Sequence, residues 1–203
     1  ADIDFVPMPL SGLLNKTYLR ERSRLLDRKT ALETADPGMP SFSHAMKLAD
    51  DDAIELPSTS HFSIVDIYGN AVSMTTTIEN GFGSRLMVNG FMLNNELTDF
   101  SFKTHSDGVP IANALAPGKR PRLTPNPILG LKDGKPWIAM GTPGGDIQIQ
   151  AMAQVLIHMM DRGKGLKEAI LEPRVSSYAY PGSFAPHIAY PNKVLYEQDL
   201  PDA

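Results

Sequence analysis

The chain contains no cysteine, which excludes a disulfide framework and any thiolate metal site and leaves the redox compartment open. Its five histidines are scattered without ligand spacing, so no metal centre is read from them. No apolar stretch approaches the ~20 residues that span a bilayer, and the opening Ala1-Asp2-Ile3-Asp4 is not the basic start of a signal peptide. Basic excess is missing too: net charge is -4 and the Lys and Arg residues are dispersed, so neither nucleic acid nor an anionic membrane is an expected partner. No internal repeat is present. There remain 203 residues, 42% of them hydrophobic, enough to bury a core as one soluble domain or as part of a larger one.

Two compositional breaks organise the chain. Pro9 to Leu32 reads as a helix, with Leu13, Leu14, Tyr18, Leu25 and Leu26 at roughly helical spacing and Arg20, Arg22, Arg24 and Arg28 as a solvated face. Thr34 to Pro57 is rich in Pro, Ser and Asp with little periodicity, an exposed linker of the kind that is cut. Beyond it the pattern turns to strands. His61–Tyr68 and Ala71–Ile78 read as a hairpin about the two-residue turn Gly69-Asn70. Phe91–Leu93 and Pro136–Gly141 read as further strands, and His187–Tyr190 and Val194–Glu197 as late ones. Asp146–Met160 reads as a mostly apolar helix capped by Asp146, and Leu166–Leu171 as a shorter one ended by Glu172-Pro173. Strands followed by helices predict an α+β class, with helices stacked on sheets.

Four strings carry chemistry. Thr59-Ser60-His61-Phe62-Ser63 heads a strand, and Thr75-Thr76-Thr77-Ile78-Glu79 ends its return partner. Thr-x-His-x-Ser is by itself ordinary strand sequence. A cut just before a hydroxyl residue, however, frees an α-amine of pKa about 7.7–8.0, which can act as base for that residue's own side chain. Ser58, Thr59 and Ser60 all qualify chemically as the hydroxyl in question. Asn94-Asn95-Glu96-Leu97-Thr98-Asp99-Phe100-Ser101 suits a loop in which Asn and Asp cap their own backbone. Gly141-Thr142-Pro143-Gly144-Gly145-Asp146, between strand and helix, suits backbone amides facing an oxyanion.

Taken together, these strings resemble the gamma-glutamyltranspeptidase family of N-terminal nucleophile hydrolases, from Asp4-Phe5-Val6-Pro7 to Glu172-Pro173-Arg174. The resemblance implies a four-layer αββα sandwich, incomplete in this chain. It divides the chain into 1–58, the end of a large-subunit-like region with its linker, and 59–203, a small-subunit-like catalytic region truncated at its C-terminus. It makes Thr59 the nucleophile, released by autocleavage at Ser58/Thr59, with Thr77 hydrogen-bonded to it and the amides of Gly144 and Gly145 as the oxyanion hole. Glu96 and Asp99 would hold the α-ammonium of a γ-glutamyl donor such as glutathione, and Thr124 the donor's carboxylate side. No metal or organic cofactor is implied. The acceptor is water, an amino acid or a peptide.

Two carboxylate-side contacts depart from the family pattern. Glu79 stands where an Asn is common, and Leu123-Thr124, after Lys119-Arg120-Pro121, stand where two serines usually follow. Glu79 would repel a donor carboxylate, which points to a shifted acyl donor, as in cephalosporin-acylase-like relatives. An inert, merely assembling fragment is the reading from a different class. Most of the family's large subunit has no counterpart here, so that remainder is an expected partner, and exposed sheet edges would favour self-association into a homo-oligomer. By the same resemblance the expected location is periplasmic or extracellular.

Overall fold

The computed structural model describes residues 2–27, 29–30, 32, 36–41, 48–53 and 59–197. Its elements in chain order are α1 (Leu10–Leu13), α2 (Lys16–Ser23), β1 (Thr59–Val65), β2 (Ala71–Thr77), β3 (Met87–Val88), β4 (Phe91–Met92), a 3-10 turn (Glu96–Asp99), β5 (His105–Ser106), β6 (Val109–Pro110), β7 (Ile128–Lys132), β8 (Lys135–Met140), α3 (Ile147–Met160), α4 (Leu166–Leu171), β9 (Val175–Ser177) and β10 (Val194–Tyr196). The fold is mixed α and β, and the described strands pair two by two: β1 with β2, β3 with β4, β5 with β6, β7 with β8 and β9 with β10.

Three of these hairpins close on two-residue turns whose chemistry dictates them. Asn89-Gly90, Asp107-Gly108 and Asp133-Gly134 all have positive φ at both positions, the combination a type I′ turn needs to match the twist of its strands. Gly69-Asn70 does not form the expected two-residue turn. β1 and β2 pair out to Val65 opposite Ala71, leaving a loop of Asp66 to Asn70. Asp66 holds that loop, its Oδ1 accepting from Tyr68 N at 2.8 Å and Asn70 N at 2.9 Å.

The expected long N-terminal helix is instead two short ones. Asn15 stands between them, and its Oδ1 accepts from Thr17 N and Tyr18 N, so it caps α2 rather than continuing α1. Past Ser23, Asp27 Oδ1 accepts from Lys29 N and Thr30 N, a local turn that competes with helix. His187–Tyr190 is not a strand either. Val194–Tyr196 finds its partner in Val175–Ser177.

Two compact units make up the chain. One comprises Ala1–Ile54, Leu97–Arg122 and Ser177–Lys193. Val6, Phe100, Ile111 and Phe184 are buried in it, and ion pairs tie its distant segments together. Arg122 forks onto Asp51 at 3.1 and 3.3 Å, with its guanidinium 4.2 Å from the Phe184 ring centre. Arg120 clamps Asp2 through its backbone N at 2.8 Å and its guanidinium at 2.6 Å.

The other unit comprises Glu55–Glu96, Leu123–Ser176 and Val194–Ala203. Its core is formed by Ile138 of β8, Met152 and Val155 of α3 and Ala169 of α4, all buried. Helix α3 is apolar on most sides, which suits a helix covered by both strand and helix neighbours.

Candidate functional site

Residue alternation along β1 places Thr59, His61 and Ser63 on one face, and register places Thr77, Thr75 and Ser73 directly opposite them on β2. The result is a ladder of three polar cross-strand pairs. His61 Nδ1 lies 2.9 Å from Thr75 Oγ1 and its Nε2 lies 3.1 Å from Ser63 Oγ. Ser63 Oγ donates to Ala139 O at 3.1 Å and Ser73 Oγ donates to Met140 O at 3.0 Å. Since the one Ser63 proton is committed to Ala139, the His61 contact is satisfied by the Nε2–H tautomer, with Nδ1 accepting from Thr75. The polar face of the β1–β2 hairpin is thereby fastened to the end of β8.

Gly141 follows directly. A Cβ there would stand 2.4 Å from His61 Nδ1, so only glycine lets the imidazole lie against the chain as it leaves the sheet. The turn beyond contains Gly144 at φ 127 and Gly145 at φ 57, both in the left-handed region that glycine enters without penalty. Helix α3 begins immediately after. Asp146 does not cap it through its side chain, contrary to expectation. Gln148, 1% exposed, turns back instead: with its carboxamide oriented to satisfy both neighbours, Nε2 donates to Thr142 O at 2.6 Å and Oε1 accepts from Gly145 N at 3.2 Å.

Glu79 lies two residues past Thr77 and is 4% exposed. Its backbone is left-handed at φ 68, uncommon for a residue with a side chain. Contacts that hold it there include Glu79 N donating to Thr77 Oγ1 at 2.8 Å and Asn95 Nδ2 donating to Glu79 Oε2. Asn95 Oδ1 in turn accepts from Asn80 N at 2.9 Å, so one amide braces both the carboxylate and the loop that follows it. Glu96 is partly buried, its N–H donating to Asn94 Oδ1 at 3.1 Å. Thr124 is partly buried as well.

The β1–β2 hairpin thus brings Thr59, Thr77 and Glu79 together, and the His61–Ser63 contacts attach the strand that leads to Gly144 and Gly145. Asp99 belongs to the first unit, where it is 3% exposed and its carbonyl accepts from Asn113 Nδ2 at 2.6 Å. Ser58 lies outside the described residues. Lys119 and Arg120, flanking the expected carboxylate site, act within the fold: Lys119 Nζ donates to Ala112 O and Ala114 O at 2.7 and 2.8 Å, and Arg120 is taken by Asp2. Gln148 lies outside the four strings read as chemical from sequence, and Asn95 lies within one of them as a loop residue without a role of its own. The Gln three residues after Gly145 is nevertheless the spacing of a capping box.

A cavity of about 450 Å³ adjoins the ladder, bounded by His61, Ser63, Gly141 and Thr142 on the strand side and by Met152 and Ile170 on the helices. That is within the range of small-molecule sites. Among the described residues no three His, Asp or Glu side chains converge as metal ligands, and no helix is long and apolar enough to cross a membrane.

Comparison with known proteins gives a consistent set of likenesses. The family model described as Gamma-glutamyltranspeptidase matches residues 1–203. A glutathione hydrolase proenzyme of Bacillus subtilis subsp. natto is 38% identical over 193 residues, covering 88% of this chain and 32% of the relative. The Acylase ACY 1 proenzyme of Pseudomonas sp. (strain SE83) is 30% identical over 177 residues, covering 86% of this chain and 28% of the relative. The solved structure of LmbA2991HD is 31% identical and superposes with a TM-score of 0.71 over 96% of this chain and 35% of its own. The chain spans about a third of the length of the curated relatives it matches.

Proposed function

Since the chain belongs to the gamma-glutamyltranspeptidase family, we propose that it supplies the nucleophile and oxyanion site of an amide-cleaving acyl transferase, with Thr59 as the attacking residue. A cut between Ser58 and Thr59 divides the chain into 1–58 and 59–203 and frees the Thr59 α-amine. That amine takes the Thr59 hydroxyl proton as Oγ1 bonds to the carbonyl carbon of a γ-glutamyl amide. The carbonyl oxygen becomes an oxyanion facing the amides of the Gly144–Gly145 turn. As the carbon–nitrogen bond breaks, the α-ammonium returns its proton to the leaving amine. Water, or an amino acid or peptide amine, then attacks the ester and regenerates Thr59.

The observation that carries this reading is the pairing of Thr59 with Thr77 at the open end of a hairpin whose polar face is hydrogen-bonded to the strand feeding the glycine turn. Thr77 would donate to Thr59 Oγ1. Glu96 and Asp99 would grip the donor's α-ammonium by charge-assisted hydrogen bonds, and Thr124 would meet its carboxylate. The complete protein would form the four-layer αββα sandwich with the remainder of a large subunit, in a periplasmic or extracellular setting, with association between copies where sheet edges stay open.

A second reading concerns the donor. Glu79 occupies the carboxylate side, held by Asn95, and an anion there disfavours a second anion. One relative is named an acylase. On this reading the donor lacks the γ-glutamyl carboxylate in that position. Kinetics with γ-glutamyl p-nitroanilide and with glutaryl amides separate the two. A strong preference for the γ-glutamyl compound refutes the shift, and Glu79→Asn should move the ratio of kcat/KM values toward γ-glutamyl if the shift is real.

A further inference from the structure

We infer that Gln148 is a positioning residue that preorganises the Gly144–Gly145 turn, and that it does so by spanning the turn from inside. This rests on the reading of that turn as the oxyanion site. Stabilisation of a developing oxyanion depends on donors already aimed before reaction. Two consecutive glycines are the least suited backbone for that, because each loses more conformational freedom on being fixed than any other residue. Something must hold them.

The only side chain found bridging the two ends of this turn among the described residues is that of Gln148. Its Nε2 donates to Thr142 O at 2.6 Å and its Oε1 accepts from Gly145 N at 3.2 Å. The backbone adds a reciprocal contact, Gln148 N donating to Gly145 O at 3.2 Å, while Ile147 N donates to Gly144 O at 3.3 Å. With Gly145 taken as the residue that caps α3, Gln148 is the third helical position, and the pair forms half of a capping box. Thr142 O and Gly145 N–H bracket Pro143 and Gly144. Fixing both ends fixes the Gly144 peptide between them, whose N–H has no hydrogen-bond partner among the described residues. The Gly144 N–H is then the primary oxyanion donor, and the Gly145 N–H is shared with Gln148.

Gln148 is also the bulkiest fully buried side chain among the described residues. A displaced carboxamide would have no water to turn to, so the clamp does not open without leaving buried polar groups unpaired. It therefore acts as a brace and not as a gate.

The test uses the full-length protein and two variants, Gln148→Leu and Gln148→Glu. Leucine removes both hydrogen bonds, while glutamate keeps the acceptor for Gly145 N–H and, when ionised, loses the donor to Thr142 O. Amide hydrogen exchange at Gly145 should accelerate at least about tenfold in Gln148→Leu and much less in Gln148→Glu. In the same proteins kcat should fall about tenfold or more in the leucine variant with KM changed less than about twofold, and the glutamate variant should lie between. Unchanged exchange at Gly145 in Gln148→Leu overturns the clamp. Faster exchange with kcat per active site intact, or exchange accelerated throughout the second unit as in general unfolding, overturns the positioning role. Exchange reports on the turn alone, so failure of the wider reading shows separately, as wild-type protein that never acquires an N-terminus at Thr59.

Discussion

Thr59 stands directly opposite Thr77 across the β1–β2 hairpin, the last register pair at its open end. Thr77 Oγ1 accepts from Glu79 N at 2.8 Å, which orients the hydroxyl and its proton. If that proton goes to Thr59, Thr77→Val should lower kcat by about ten- to a hundredfold, the worth of a hydrogen bond to a charged oxygen. Thr77→Ser should recover most of the loss. Steady-state kinetics on a chromogenic amide give the answer, and a valine variant as fast as wild type removes Thr77 from the account.

Gly141→Ala should destabilise the second unit. Its Cβ would fall 2.4 Å from His61 Nδ1, so the ring must leave Thr75 and Ser63, at a cost of about 1–3 kcal/mol. Urea denaturation of Gly141→Ala, of His61→Ala and of the double variant measures this. The double variant should be less destabilised than the sum of the singles. Strict additivity would mean that the ring and the glycine do not meet.

His187 makes the first unit sensitive to pH. Burial pushes its pKa down, but hydrogen bonds to Gly182 O and Asp51 O, both at 2.9 Å, and the nearby Asp50 and Asp51 charges outweigh burial and leave it above the ordinary 6.5. Two carbonyl acceptors require two N–H donors, which only the imidazolium has. A group with a raised folded pKa contributes stability that is complete below its unfolded pKa and is lost as pH rises through the folded value. Thermal melts should therefore show a loss of Tm as pH rises above 6.5 and through the raised His187 transition. His187→Gln should flatten that slope, and an equal slope in both proteins would contradict the assignment.

Asn89-Gly90 marks its hairpin openly, and so do Asp107-Gly108 and Asp133-Gly134, because few other pairs accept two consecutive positive φ values. The order Gly69-Asn70 gives no such turn, and the loop it belongs to is decided by Asp66, a side-chain contact that a two-residue reading does not weigh. The long helix expected from Pro9 fails at Asn15 for the same reason: leucine spacing is visible, but one Asn accepting two backbone N–H groups restarts the helix. At the candidate site the hydroxyl and glycine strings were legible because they are contiguous. Gln148 was not, and of Asn95 only its place in a loop string was, since their roles come from which groups they meet after folding.

The central claim is tested most directly by intact-mass and N-terminal analysis of the full-length protein beside its Thr59→Ala variant. A species beginning at Thr59 should accumulate in the wild type alone and should gain the mass of one acyl group, located on Thr59, when trapped with a γ-glutamyl or glutaryl substrate. A wild-type chain that stays whole, or one that is cut and acylated at a different residue, contradicts it.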